Sequence, residues 1–143
     1  MKGGFRFVVR QTLAVIVGAI FIYAGALKLL DPLRFATDIT NYHILPWPVA
    51  VRFAFYLPWL ELLCGLALIF HRLFAGALLL TGGMMMVFIA ASIAARARGI
   101  NVSCGCFGSA SHSLSFAGHL ALDFALLAIL FFLWFATSAE RRA

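Results

Sequence analysis

Four long apolar stretches, set apart by short polar breaks, divide the chain. They run from about Gln11 to Leu30, Val49 to Phe70, Leu73 to Ala95 and Ser115 to Ala136. Each is close to the roughly 20 apolar residues a helix needs to cross a bilayer. The short breaks make successive spans antiparallel. The pattern predicts an all-α fold: a polytopic membrane four-helix bundle, forming a single membrane domain over residues 1–143. No internal repeat or low-complexity segment interrupts it.

The breaks carry local signals. Asp31-Pro32 reads as a stop and a restart, because Asp caps helices and Pro favours the first helical position. A short interfacial helix is expected from Pro32 to Tyr42, between the first and second spans. Leu33, Ala36, Ile39 and Tyr42 or His43 would face lipid or protein, and Pro46-Trp47-Pro48 would end it. Tyr42, Trp47 and Trp59 suit a membrane interface. Pro58 predicts a kink in the second span, and Ser113 or Ser115 an N-cap for the fourth. Ala24-Gly25-Ala26 has the small residues of a signal-peptide cleavage site. The apolar run continues past it to Leu30, which favours a span.

Composition supports the membrane reading. The chain is 64% hydrophobic with 11% charged residues and mean hydropathy +1.04, against about 25% charged in ordinary soluble domains. The net charge of +6 is spread over segment ends, with no basic patch interleaved with aromatics. That argues against nucleic acid and for topology signals and anionic headgroups.

Charge also predicts orientation, since Lys and Arg mark the cytoplasmic side. Lys2, Arg6, Arg10, Arg72, Arg141 and Arg142 fall on one side, and Arg34, Arg96 and Arg98 on the other, with Lys28 and Arg52 nearby. The balance puts both termini in the cytoplasm of a bacterial inner membrane. The 99–114 loop then faces outward, into the compartment where disulfides persist. Lys28, Glu61, His119 and Asp123 would all lie in the outer half or near the midplane, above an apolar inner half. Intramembrane charges are costly and usually face partners or a cavity, so the four predict a polar pocket beneath the loop. The bland alternative has Lys28 snorkelling and Glu61 and Asp123 as hydrogen-bonded bundle residues.

The loop holds Cys104-Gly105-Cys106-Phe107-Gly108. Gly105 permits the tight turn that would bring two such close cysteines into disulfide range. The ring would be small and strained, hence readily reduced, which suits exchange better than a structural clip. Arg96, Arg98, His112 and the start of the fourth span are candidate sources of a lowered thiol pKa. Two alternatives stay open: a copper or zinc site using Cys104, Cys106, His112 and His119, and an incidental pair. Cys64 shares a helix face with Glu61 and reads as packing, with a resolving thiol as the alternative. Met84-Met85-Met86 reads as core or lipid-facing filler.

Several segments together resemble the MauE/DoxX family of redox-associated membrane proteins. They are Tyr23-Ala24-Gly25-Ala26-Leu27-Lys28-Leu29 with Asp31-Pro32, Tyr42-His43-Ile44-Leu45-Pro46, Leu57-Pro58-Trp59-Leu60-Glu61 with Gly65, and Cys104-Gly105-Cys106-Phe107-Gly108. The similarity runs from about Thr12 to Phe132, and the Cys-x-Cys-Phe-Gly piece points to the MauE side. The resemblance implies a four-helix membrane bundle engaged in thiol–disulfide chemistry, in some members beside an exported thioredoxin-like protein. The expected partner is therefore such a protein or a disulfide-containing client. Cys104 would form the mixed disulfide and Cys106 resolve it. Glu61, His119 and Asp123 would handle the two protons of dithiol oxidation, and Lys28 would pair with Glu61 or steady a reduced acceptor. Electrons could pass to a lipid quinone, by fold-level analogy with other four-helix disulfide-generating membrane proteins, or through Cys64. A copper- or zinc-binding membrane protein and a non-catalytic scaffold of a maturation complex are the competing functions.

Overall fold

The computed structural model describes residues 2–100 and 115–142. Cys104, Cys106 and His112 lie outside that range. Five helices follow one another: α1 (Lys2–Leu30), α2 (Pro32–Asn41), α3 (Trp47–Ile69), α4 (Phe74–Ala97) and α5 (Phe116–Arg142). No strand occurs among the described residues. All except α2 are long and apolar enough to span a bilayer, so the chain is an all-helical, multi-pass membrane protein. Phe55, Trp59 and Leu63 of α3, Phe70 just after it, and Phe131, Phe132 and Phe135 of α5 are exposed. Such apolar surface fits lipid rather than water.

The helix ends follow local chemistry. The Asp31 side chain accepts from the Arg34 backbone N–H at 3.1 Å, and Pro32 opens α2. One residue therefore separates α1 from α2. The Ser115 hydroxyl accepts from Gly118 N–H at 3.3 Å at the start of α5, as expected of a capping serine. Two boundaries differ from the sequence expectation. α1 begins at Lys2 and takes its basic flank into the helix; its 29 residues give about 44 Å, longer than the ~30 Å hydrocarbon core. Trp47-Pro48 opens α3 instead of closing α2, because proline is tolerated in a helix's first turn. Pro58 lies inside α3, as the single span from Val49 to Phe70 requires.

In α1 the inward positions Ala14, Gly18, Phe21, Gly25 and Lys28 alternate in steps of four and three. In α3 Ala54, Pro58, Glu61, Gly65 and Leu68 do the same, and in α5 so do His119, Asp123, Leu126, Leu130 and Leu133. This 3.5-residue period makes the seam of left-handed helix packing. The shared core takes Val17 and Phe21 from α1, Leu68 from α3, Leu78 and Met85 from α4, and Leu126 and Leu130 from α5. α2 lies against α3, with Phe35 and Ala36 on Ala54 and with Ile39, Val51 and Leu57 around them. Leu33 is exposed, and Tyr42 is buried in protein. The covered face of α2 thus includes Phe35.

Candidate functional site

Lys28 is pinned by three other helices. Its Nζ donates to Glu61 Oε1 of α3 at 2.5 Å. The same ammonium stands 5.1 Å from the Phe35 ring centroid on α2 and 4.8 Å from that of Phe88 on α4. Cations are attracted to aromatic faces within about 6 Å, so rings cover the sides that the carboxylate leaves open. Lys28 and Glu61 are each 1% exposed. The ammonium therefore does not snorkel; it is neutralised inside the bundle. This follows from position, because Lys28 ends the inward stripe of α1 and Glu61 sits across the seam of the antiparallel α3.

Glu61 Oε2 is buried and meets no hydrogen-bond partner among the described residues. Beside Glu61 is a cavity of about 20 Å³, lined by Ile20, Phe21 and Ala24 of α1, Met85 and Phe88 of α4, and Leu126 of α5. That volume suffices for one water. Four helices converge there, at a charged pair with a spare acceptor.

His119 and Asp123 follow one another on the inward stripe of α5 and are 4% and 1% exposed. Both are engaged by neighbours. Leu126, three residues beyond Asp123, reaches the cavity at Glu61. Asp123 therefore stands one helical turn from the cavity wall. All four expected ionisable residues are in the bundle interior, and the structure joins Lys28 directly to Glu61. Among the described residues, no three His, Cys, Asp or Glu side chains gather into a metal site. Cys64 is 3% exposed and meets the Thr81 hydroxyl of α4. Thr81 in turn donates to Ala77 O at 2.5 Å.

Sequence reasoning missed the α4 contribution. Thr81, Phe88 and Ser92 share one helix face, being seven and four residues apart. Two buried polar residues at that spacing in an apolar helix were the available signal. It also missed Phe35 as a cover for Lys28.

Two contacts join the C-terminal end of α4 to its neighbours. The Arg96 guanidinium of α4 lies 5.5 Å over the Phe116 ring at the start of α5. Arg98 Nη1 donates to the His43 carbonyl at 3.5 Å. The end of α4 and the start of α5 thus lie at the α2 end, the end at which Lys28 lies.

The opposite end carries polar contacts at the flanks of the spans. Arg10 of α1 forms an ion pair with Glu140 of α5. Gln11 Nε2 lies 3.4 Å from Nδ1 of His71 in the α3–α4 turn. Inclusion of the basic flank in α1 brings Arg10 and Gln11 within reach of these partners. The contacts place the N-terminal part of α1, the α3–α4 turn and the C-terminal part of α5 at one end.

A family model described as methylamine utilisation protein MauE matches residues 6–136. No curated protein matches the chain, and no solved structure does. The family match takes in α3 and α4 whole, most of α1 and α5, the Lys28–Glu61 pair and the Cys-Gly-Cys segment. The chain belongs to the MauE family.

Proposed function

We propose that the protein is a membrane thiol–disulfide redox protein serving methylamine utilisation, the process named in its family's description. Its working pair is Cys104 and Cys106, and its partner is an exported thioredoxin-like protein or a disulfide-containing client. The observation that supports the reading is that the described residues on either side of the Cys-Gly-Cys segment, in contact through Arg96–Phe116 and Arg98–His43, lie at the Lys28 end of the bundle.

The exchange balances without another reactant. A thiolate of the reduced protein attacks a sulfur of the oxidised one, forming a mixed disulfide and releasing one thiolate. The second thiol of the reduced protein attacks the mixed disulfide and releases the other thiolate. Two electrons pass from dithiol to disulfide, and two protons leave the new disulfide's side for the new dithiol. Cys104 forms the mixed disulfide and Cys106 resolves it. Glu61, with its spare Oε2 beside a water-sized cavity, and His119 and Asp123 hold and pass protons near the pair. Lys28 keeps Glu61 in place. The termini face the cytoplasm and the Cys-Gly-Cys segment faces outward across the inner membrane, in keeping with Lys/Arg bias.

The test is capture. A Cys106→Ala protein should accumulate as a mixed disulfide through Cys104, released by reductant and identifiable by mass spectrometry. Thiol trapping in intact cells should show the wild-type pair cycling between states. A pair that stays reduced and captures nothing would sink the redox reading. An impermeant maleimide should label Cys104 from outside; labelling only in inverted vesicles would reverse the orientation.

A further inference from the structure

The α3–α4 turn sends its two polar side chains to different tasks. His71 is half-buried, with Nδ1 near Gln11 and its ring stacked on Phe74 at 4.6 Å. Arg72 is exposed and makes no ion pair among the described residues. The turn folds back on its own helix: Phe70 N–H donates to Leu66 O at 2.9 Å and Arg72 N–H to Ala67 O at 3.1 Å. His71 and Leu73 hold this curl with φ of 54° and 50°. Left-handed backbone at non-glycine residues costs on the order of 1–3 kcal/mol each and persists where surrounding structure imposes it.

The curl sets Arg72 at the end of a groove of about 410 Å³, whose other walls are Leu66, Ala67 and Phe70. Leu66 and Phe70 are 42% and 69% exposed. One helical turn of apolar wall ends in a cation at the level where the span meets the headgroups. That is the outline of an amphiphile with an anionic head. A free phosphate would gain nothing from Leu66 and Phe70, and an uncharged lipid nothing from Arg72. We infer that this groove binds one anionic phospholipid in the leaflet next to the α3–α4 turn. Its phosphate rests on Arg72 and an acyl chain lies along Leu66, Ala67 and Phe70. The lipid answers the Arg72 charge at the end where Arg10 is already paired with Glu140.

The experiment is native mass spectrometry of the full chain in detergent, with phosphatidylglycerol and phosphatidylcholine of identical acyl chains. One phosphatidylglycerol should be retained at concentrations where phosphatidylcholine is lost. Arg72→Gln should weaken retention about fivefold, the weight of one basic residue at an anionic surface. Arg141→Gln, at the same end but off the groove, should leave it unchanged. Leu66→Trp fills the groove with the charges intact and should also reduce retention, so it decides the matter if Arg72→Gln fails to fold. Equal retention of the two lipids would overturn the inference, as would equal losses from Arg141→Gln and Arg72→Gln. So would a groove that holds a second copy, seen as a dimer that Leu66→Trp dissociates without changing lipid count.

Discussion

Gly18 and Gly65 face each other so closely that a Cβ on either would lie 2.7 Å from the other's carbonyl oxygen. Gly25 repeats the arrangement two turns along α1, where a Cβ would lie 2.9 Å from Pro58 O. A backbone oxygen cannot swing aside as a side chain does, so α1 and α3 would have to separate. Gly18→Ala and Gly65→Ala should each destabilise by about 1–3 kcal/mol, the usual cost of overpacking. Gly82→Ala is the control, because a Cβ there meets nothing within 4 Å. Thermal unfolding in detergent should show a lowered midpoint for the first two and none for the third. Equal behaviour of all three would refute the seam.

Removing one member of the Lys28–Glu61 pair strands the other in a dry interior. Lys28→Met or Glu61→Gln should cost about 3–5 kcal/mol, and the double variant should regain most of that loss. If the proton role of Glu61 holds, the double variant recovers its unfolding midpoint yet not its redox cycling. Recovery of both would reduce the pair to packing.

Phe88 tests the aromatic cover. Phe88→Leu keeps an apolar side chain beside Lys28 but removes the ring face. The expected loss is about 0.5–2 kcal/mol, and it should disappear in a Lys28→Met background. A loss of the same size in that background would assign Phe88 to packing alone.

These pairings mark the limit of what could be read from the sequence. Lys28, Glu61, His119 and Asp123 stand out because each interrupts an apolar run, and burial of all four follows from the cost of charge in lipid. The four spans are equally visible, since length and apolarity define them without any tertiary knowledge. That Lys28 meets Glu61, 33 residues away, depends on the register of α1 against α3. Gly18, Gly25 and Gly65 set that register, and single glycines in apolar helices carry no label of their role. Arg10 and Glu140 lie close to helix ends and read as flanking charge, which hides their contact.

Arg10 and Glu140 should contribute little. Glu140 is 61% exposed, and pairs of that kind are worth about 0.2–1 kcal/mol and weaken with salt. A double-mutant cycle with Arg10→Ala and Glu140→Ala should give a coupling energy below about 1 kcal/mol. A larger value would make this end a structural clamp.

Cys64 is committed to α4 through Thr81. If it serves only packing, Cys64→Ala should leave the Cys104 mixed disulfide and the cycling of Cys104 and Cys106 unchanged. A lost or altered trapping pattern would make Cys64 a relay thiol.

The Lys28–Glu61 contact also bears on the order of biogenesis. α1 is synthesised first and enters the bilayer with an ammonium near one end and no counter-charge. Its neutralising carboxylate arrives only when α3 has emerged and folded back against it. A nascent chain stopped between the two carries a cation without its counter-charge, a costly state in lipid. Charge closure therefore marks completion of the α1–α3 hairpin.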